Sequence, residues 1–514
     1  MSDRGEEPRV HPDEILVVRR GPGANCSSIG SALDVLFLSA VAAGAVLAGV
    51  AAAFGKHRPP SAAPPSSSPK SEPEGGPPRT GIDPSPPSGG LSARARVEPF
   101  GAWARVDDGA LVAIARPAAR RLGIEGGPVW RAEAKKTGDT TNETKRKPET
   151  PAPLPSPLEV HLAVTSRCGA GCRGCYLDAR PDGDEPPFDV IKERLRAVAE
   201  AGAFTVAFGG GEPLSRPDLG ELGAAARALG LVPVVTTSGI GMTRERAESL
   251  RSFAQVNVSY DGEAEGYELV RGWDGARTAE RAMRLLAGAG VPFGVNVVLT
   301  RSSFPRLART LARAEELGAR EAQLLRYKPA GRARGADYLA ARLSNEQVRS
   351  LLPSLEAIAR ERSLSLRIDC ALVPLLSASP LDPSALARFG VLGCEAGRHL
   401  AAVRIDGLVA PCSFASPSGA DVHSGFGHAS DGRKDQAPEI AETPAPWERD
   451  PVLTAFRHLP DVEPCRSCSL REVCRGGCRI VAEHTGGALG PDPECPRVLA
   501  HAHERRIAER HDPG

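Results

Sequence analysis

The chain has 514 residues, long enough for about two to four domains and at least one large core. Its 64 Lys and Arg nearly balance its 63 Asp and Glu, which excludes the strongly basic surface typical of nucleic-acid-binding proteins. We therefore predict no nucleic-acid partner. All of its 12 cysteines except Cys26 lie at or after Cys168. A disulfide framework suits short secreted chains, so metal or cluster binding in a reducing compartment is the better interpretation.

The N-terminal region predicts a tail and a membrane anchor. Residues 1–34 are polar and irregular, which indicates a disordered tail. Residues 35–54 are apolar and uncharged, and they are long enough to cross a bilayer as a helix. A buried Ala-rich helix or a signal-peptide core are the alternatives, and acidic residues upstream disfavour the signal peptide. The basic residues at 56–58 predict that the rest of the chain stays cytoplasmic, anchored by this helix.

Two linkers enclose a small domain. Residues 57–95 are rich in Pro, Ser and Gly, and residues 134–157 are charged and Pro-rich, as flexible linkers are. Between them, residues 97–131 predict a β-hairpin with a turn at 107–109, followed by a short helix. Such a domain either binds a peptide or packs on the enzyme core.

Strands and helices alternate over residues 158–340 and predict parallel βαβ units. The predicted strands are 158–164, 204–208, 232–237, 255–260, 293–300 and 321–327. These units are fewer than the eight of a full barrel. The predicted fold is therefore α/β, an open partial (β/α)6 barrel. Residues 341–392 form a bridging region with a further helix and a short strand, and a cysteine-rich domain follows over 393–500.

A CxxxCxxC motif, formed by Cys168, Cys172 and Cys175, stands directly after the first of these strands. Three thiolates on one loop can bind three irons of a cubane [4Fe-4S] cluster and leave the fourth iron open. Structural zinc usually takes four protein ligands, so zinc fits poorly. The loop resembles the cluster motif of the radical S-adenosylmethionine (SAM) superfamily. The resemblance implies that SAM binds the open iron and is cleaved by one electron to a 5′-deoxyadenosyl radical. One departure exists: Gly174 stands where the family usually has an aromatic residue, and Tyr176 follows the third cysteine instead.

A second motif, GGGEP at 209–213, ends the second predicted strand. A glycine-rich loop alone is often only a tight turn. With its carboxylate, this one resembles the family loop whose backbone and Glu hold the SAM amino group. The resemblance also implies that a hydroxyl contacts the SAM ribose and an Arg its carboxylate. The residues that the resemblance assigns to SAM are Gly210, Gly211, Glu212, Ser259, Arg271 and Asn296. Ser238 lies where relatives often have Asn.

Seven further cysteines follow one spacing, C-x12-G-x4-C, then C-x2-C-x5-C-x3-C, then a last Cys. A zinc ribbon is the alternative for such pairs. The full pattern resembles the SPASM domain, which binds two auxiliary Fe-S clusters. By that resemblance one cluster uses Cys465, Cys468, Cys474 and Cys495, and the other uses Cys394, Cys412 and Cys478.

The second of these sets has only three thiolates. Some relatives supply a fourth cysteine at the position of Leu400, so here the cluster either keeps an open iron or takes His399, Cys370 or water. Ser413 replaces the acidic base that follows the second cysteine in sulfatase-maturing relatives, which disfavours that reaction.

The leading hypothesis is a radical SAM enzyme that abstracts hydrogen from a ribosomally made peptide or protein, supplied with electrons by an external donor. The cofactors would be one SAM-binding [4Fe-4S] cluster, two auxiliary clusters and SAM. Radical chemistry on a small molecule such as a tetrapyrrole is the alternative within the same superfamily. A membrane-tethered zinc or electron-transfer module without catalysis is the alternative of another class.

Overall fold

A computed structural model describes residues 15–20, 95–98, 101–106, 110–115, 119–120, 156–381, 386, 389–390, 393–425, 446–487 and 489–511. Its strands form two sheets, one of four strands and one of nine. The segment predicted to span the membrane, 35–54, lies outside the described residues. Within the described parts of the chain, no helix is both long enough and apolar enough to cross a bilayer.

The smaller sheet contains the predicted hairpin. Its strands are β1 (Ile15–Arg20), β2 (Ala95–Glu98), β3 (Gly101–Val106) and β4 (Ala110–Ala115), in the order β1-β4-β3-β2, and each neighbouring pair is antiparallel. The predicted hairpin is confirmed as β3 and β4. Two corrections follow: β2 begins at the end of the predicted linker 57–95, and β1 places a strand inside the predicted disordered tail 1–34.

The pairing of β1 with β4 also bears on the predicted anchor. Five residue pairs align the two strands, from Ile15 with Ile114 to Arg20 with Ala110. A chain that crossed a bilayer once between residues 20 and 110 would leave these strands on opposite sides of the membrane. Because they lie side by side, the pairing argues against a single crossing between the two strands; residues 35–54 lie outside the described residues, and the anchor there stays a prediction.

The smaller sheet packs on the enzyme core through buried arginines. Arg96 donates from its guanidinium to Ser156 Oγ (2.9 Å) and to the carbonyl of Gly202 (3.1 Å). Arg105 donates to the carbonyl of Gly230 (3.0 Å). Both guanidinium groups therefore satisfy carbonyls at the ends of core helices, which fixes the sheet against the core.

The larger sheet confirms the six predicted strands, all parallel and adjacent in chain order. They are β5 (Glu159–Thr165), β6 (Thr205–Gly210), β7 (Val232–Thr237), β8 (Gln255–Ser259), β9 (Phe293–Leu299) and β10 (Glu321–Arg326). Beyond β10, β11 (Ser365–Ile368) adds in parallel, and beyond β5, β12 (Leu400–Val403) adds in parallel with β13 (Val409–Ala410) antiparallel to it. The order β11-β10-β9-β8-β7-β6-β5-β12-β13 is that of an open sheet with β11 and β13 at its edges.

Helices follow the strands and cover the sheet. Those of the core are α1 (Phe188–Glu200), α2 (Leu219–Ala228), α3 (Arg244–Ser249), α4 (Ala264–Arg271), α5 (Ala276–Gly288), α6 (Leu307–Glu316), α7 (Ala336–Ala341), α8 (Asn345–Glu361) and α9 (Val373–Leu376). The C-terminal region adds α10 (Val422–Gly425), α11 (Pro446–Arg449), α12 (Pro451–Arg457), α13 (Arg471–Cys474), α14 (Arg479–Gly486) and α15 (Pro496–His511). Local sequence sets their ends: Ser344 and Gln347 form a capping box before α8, and Gly272 ends α4 in the left-handed conformation.

One apolar core lies between the sheet and these helices. Strand residues such as Val160, Val206 and Val256 are completely buried, as are the inward faces of α1 and α5. Burial on this scale holds the strands in register, so the loops at their carboxyl ends lie together at one end of the sheet. The predicted site residues lie at that carboxyl end.

Candidate active site

The first cysteine loop leaves the carboxyl end of β5 and is anchored at both ends. Cys168 N donates to the carbonyl of Arg180 (2.8 Å), and Arg173 N donates to the carbonyl of Arg271 at the end of α4 (2.9 Å). Burial raises the pKa of the Cys168 thiol. The backbone bonds therefore hold the thiols in a fixed arrangement, as the ligands of a cluster require.

A second clamp comes from the loop after β10, which the sequence did not single out. The guanidinium of Arg332 donates to the carbonyl of Cys172 (2.9 Å) and to Asp178 Oδ1 (2.8 Å). Arg332 N donates to the carbonyl of Cys175 (2.9 Å). One residue therefore ties both ends of the CxxC half of the motif to the last strand of the predicted barrel.

Two N–H groups point at the cysteine sulfurs. Trp273 Nε1 donates to Cys172 Sγ (3.2 Å), and Ala179 N donates to Cys175 Sγ (3.4 Å). Hydrogen bonds of this kind are one of the means by which proteins set the reduction potential of an Fe-S cluster. Trp273 follows the helix that carries Arg271, and no sequence motif marks it.

The glycine loop at the end of β6 lies against the start of the cysteine loop. Gly211 N donates to the carbonyl of Thr165 (2.7 Å), and Glu212 N donates to that of Arg167 (2.8 Å). Gly210 has φ +119°, and a Cβ there would lie 2.1 Å from the Thr165 oxygen. Only glycine fits this close approach of two backbones, which explains why the motif requires it.

Glu212 is placed beside the cysteine loop, but its carboxylate is fully engaged by the protein. Oε1 accepts from Leu214 N (3.0 Å) and Thr237 Oγ1 (2.6 Å), and Oε2 accepts from the backbone N and the hydroxyl of Ser238 (2.7 and 2.5 Å). Burial raises the pKa of Glu212 in spite of these bonds. In this structure the carboxylate orders the loop after β7, and its predicted contact with the SAM amino group stays a prediction.

Arg271 is held toward the cysteine loop by a carboxylate that the sequence did not single out. Asp261, which is completely buried, accepts from Arg271 Nε (2.5 Å) and from Val298 N (2.6 Å). The guanidinium lies over the ring of Tyr267, 5.8 Å from its centre. Burial alone would lower the pKa of Arg271, but Asp261 raises it, so the guanidinium stays positively charged at the carboxyl end of the sheet.

Ser259 and Asn296 lie side by side across β8 and β9, and both are almost completely buried. Asn296 Nδ2 donates to Thr236 Oγ1 (3.4 Å). Asn296 Oδ1 is buried and has no hydrogen-bond partner in the part of the chain that the structure describes. A buried acceptor without a partner is costly, so these residues fit a polar ligand such as SAM.

The departure at Gly174 has a steric explanation. A Cβ at this position would lie 2.6 Å from both Cε2 and Oη of Tyr327, the residue after β10. The ring of Tyr327 is stacked on that of Tyr338, with centroids 6.1 Å apart and planes at 11°. An aromatic ring therefore lies next to the cysteine loop after all, but it comes from the end of the sixth predicted strand.

The structure brings together the first C-terminal set of cysteines. Cys465, Cys468, Cys474 and Cys495 line one cavity. Arg497 Nη1 and Leu470 N both donate to Cys468 Sγ, at 3.1 and 3.4 Å. Burial raises the pKa of Cys465 to about 11. Four cysteines thus line one cavity, and one of their sulfurs, that of Cys468, receives two N–H donors.

The second set also converges. Cys394, Cys412 and Cys478 belong to one apolar cluster, which includes Phe414. Burial is the main cause that raises the pKa of Cys412, to about 12, and the neighbouring charges of Cys394 and Cys478 raise it further. The ring of Tyr176 packs on Phe414 with centroids 4.6 Å apart, so this set approaches the first cysteine loop.

A buried ion network joins the C-terminal cysteines to the sheet. Arg326, at the end of β10, pairs with Asp492 (2.6 Å) and Glu494 (2.8 Å). Asp492 Oδ2 also accepts from Cys478 N (3.1 Å). Because Asp492 is completely buried, this network fixes the segments of Cys478 and Cys495 against the barrel strand.

Two residues considered from sequence face elsewhere. His399 Nδ1 pairs with Glu395 Oε1 (3.2 Å), and its ring meets the edge of Trp103 in the smaller sheet, 6.1 Å between centroids. The hydroxyl of Ser413 pairs with His161 Nδ1 (2.7 Å).

No three or more metal-ligating side chains in the described ranges meet closely enough to hold a single ion. Each ligand of a cluster binds a different iron, so the sulfurs of a cluster site do not meet at one point.

Comparison with known proteins agrees with this geometry. The family described as "Radical SAM superfamily" matches residues 162–307, from β5 to the start of α6. The chain is similar to the PqqA peptide cyclase of Gluconobacter oxydans (strain 621H), at 30% identity over 374 residues, covering 68% of this chain and 94% of that protein. It is also 30% identical over 369 residues to the mycofactocin maturase MftC of Mycobacterium tuberculosis (strain ATCC 25618 / H37Rv), covering 70% of this chain and 88% of that protein.

Among solved structures, the chain shares its fold with Streptococcus suis SuiB bound to its precursor peptide SuiA. The TM-score is 0.56 at 18% identity, and the match covers 79% of this chain and 98% of that one. At this level of identity the likeness speaks for the fold alone.

Proposed function

The chain belongs to the radical SAM superfamily, and from that premise we propose that it cleaves SAM reductively and abstracts hydrogen from a ribosomally made peptide. The observation that supports the proposal is that four features meet at the carboxyl ends of the parallel strands. These are the loop of Cys168, Cys172 and Cys175, the glycine loop, the Asp261–Arg271 pair and Asn296. They come from β5, β6, β8 and β9, so the folded sheet is needed to assemble them.

The residues of the chain have distinct roles in this proposal. The three thiolates would hold a [4Fe-4S] cluster, which when bound supplies the electron that cleaves SAM to methionine and a 5′-deoxyadenosyl radical. Arg271 offers a fixed cation to the SAM carboxylate, and Asp261 keeps it oriented. Asn296 and Ser259 offer polar atoms that are buried and therefore exclude water from the ligand.

The substrate class rests on the relatives. One relative is named as a cyclase of the PqqA peptide and the other as a maturase of mycofactocin, and the chain spans most of the length of both. We infer a peptide substrate for this protein as well. Modification of a small molecule is the competing proposal, and a co-encoded short peptide that changes mass in the presence of the enzyme would exclude it.

We propose that the C-terminal cysteines form a SPASM domain with two auxiliary clusters. The set of Cys465, Cys468, Cys474 and Cys495 would hold one, and the set of Cys394, Cys412 and Cys478 the other. The convergence of each set and the N–H donors on Cys468 support this assignment. Such clusters would take up an electron from the substrate radical or pass electrons from an external donor.

Anaerobic purification and a cleavage assay test the proposal. The protein should contain about twelve irons, as expected for three cubanes. Incubated with SAM and dithionite, it should release 5′-deoxyadenosine, and the Cys168→Ala/Cys172→Ala/Cys175→Ala variant should release none. Colourless protein with stoichiometric zinc, or iron-loaded protein that leaves SAM intact, would refute it.

A further inference from the structure

The second C-terminal set has three cysteines, and the structure places a fourth beside them. We propose that Cys370 is the remaining protein ligand of the auxiliary cluster held by Cys394, Cys412 and Cys478. Ala371, the next residue in the chain, is completely buried in the same apolar cluster as those three cysteines. This inference rests on the proposed function, because it assumes that the set binds an Fe-S cluster.

The backbone holds Cys370 in position from both sides. Cys370 begins a short 3-10 turn directly after β11, and Asp369 Oδ1 caps this turn by accepting from Ala371 N (3.1 Å). Asp369 N donates to the carbonyl of Leu324 in β10 (2.9 Å). The carbonyl of Ala371 accepts from the buried guanidinium of Arg326 (2.9 Å). Both neighbours of Cys370 are thus fixed to β10, so the backbone sets the position of its thiol.

The alternative side-chain ligand has partners outside the set. The imidazole of His399 pairs with Glu395 and packs on Trp103 of the smaller sheet. Leu400, at the position where some relatives have the fourth cysteine, is an apolar residue of β12. Because Leu400 cannot bind iron, the fourth ligand would come from the loop after β11, at the other lateral edge of the sheet from β12.

The charges around the set suit four thiolates. Each thiol releases a proton when it binds iron, so a fully ligated cluster adds negative charge to a buried site. Lys328 is almost completely buried, pairs with Asp369, and lies 4.4 Å from the centre of the Phe414 ring in the cluster of the cysteines. Arg479 lies in electrostatic range of Cys394. Buried cations on two sides stabilise the anionic form.

The test compares full-length variants with and without Cys370. All carry the triple Cys168→Ala/Cys172→Ala/Cys175→Ala substitution, which removes the cluster with the open iron. Cys370→Ala is the test variant, Cys370→Ser retains an oxygen donor, and Cys26→Ala, at a cysteine outside both sets, is the matched control. Iron and sulfide are counted per chain. The electron paramagnetic resonance spectrum of the reduced protein is recorded with and without potassium cyanide, which binds an open iron.

The parent and Cys26→Ala should give the same spectrum with and without cyanide. Cys370→Ala should either lose about four irons per chain, one cubane, or keep them and become cyanide-sensitive. Cys370→Ser should keep its iron with an altered spectrum, which guards against a variant that simply fails to fold. A parent that already responds to cyanide, or a Cys370→Ala protein identical to the parent, would overturn the assignment. Neither result touches the proposed function, which fails only if the wild type lacks clusters or leaves SAM intact.

Discussion

The contact between Gly174 and Tyr327 gives the sharpest prediction for the cysteine loop. We consider Gly174→Ala, which adds one carbon 2.6 Å from Cε2 and Oη of Tyr327. Ordinary contacts between carbon atoms are about 3.5–4.0 Å, so the new methyl group is about 1 Å too close. Tyr327 is 8% exposed and is stacked on Tyr338, so its ring has little room to move away. Overpacking of this kind costs about 1–3 kcal/mol.

The same loop offers a matched control. A Cβ at Gly169 meets nothing within 4 Å, and this residue does not have a positive φ. Gly169→Ala should therefore change the free energy of unfolding by less than about 0.5 kcal/mol. Urea unfolding of the full chain measures the first effect, and iron content with the rate of 5′-deoxyadenosine release measures displacement of the cysteines. Gly174→Ala should lose both stability and iron, whereas Gly169→Ala should lose neither.

A double variant tests whether Tyr327 is the cause. Tyr327→Ala removes the ring and should itself cost about 3–5 kcal/mol by leaving a cavity. Combined with Gly174→Tyr, it should recover about 0.5–3 kcal/mol relative to the sum of the single substitutions, because the new ring enters the vacated space. Additive effects, or a Gly174→Ala protein with wild-type stability and iron content, would refute the steric explanation.

Four other predictions follow from the described contacts. Trp273→Phe removes the N–H donor to Cys172 Sγ (3.2 Å), so the reduction potential of the SAM-binding cluster should fall in a redox titration, and an unchanged potential would contradict this role. Asn296→Leu removes the unpaired buried acceptor, so the Kd for SAM measured by calorimetry should rise about tenfold, with unaltered affinity as the refuting result. Burial raises the pKa of Glu494, but Arg326 and its other partners lower it overall, so its charge stabilises the fold above the unfolded pKa of about 4.3 and loses this effect as pH falls through the folded pKa. Glu494→Gln should therefore lower the free energy of unfolding at pH 7 by about 1.5–3 kcal/mol and converge with the wild type in acid, and a pH-independent difference would exclude the ion pair as its cause. Because β1 pairs with β4, reporter tags at the two ends of the chain should show the same protease accessibility in membrane vesicles. Opposite accessibility would mean that the chain crosses the membrane once and would contradict the pairing.

Elements set by short-range pattern could be predicted from the sequence. The six parallel strands were predicted because buried β-branched and aromatic residues alternate with amphipathic helical segments. The CxxxCxxC loop and the GGGEP loop were located correctly at the ends of β5 and β6, because their chemistry is written in adjacent residues. Helix α4 and the strand β1 were not predicted, since short segments without clear periodicity take their conformation from their neighbours in space.

Only the folded chain shows which distant residues meet. Asp261 pairs with Arg271 only because α4 folds back against the end of β8. Tyr327 contacts Gly174 only because the carboxyl end of β10 lies next to the loop that follows β5. Cys370 belongs to none of the cysteine motifs in the sequence. It lies near the other cysteines because β11 pairs in parallel with β10, so both strands end at the same end of the sheet. The kind of chemistry can be predicted without the fold, because its cysteines stand close together in the chain. Long-range packing determined the partners that orient those cysteines, because side chains far apart in sequence come into contact only when the strands share one core.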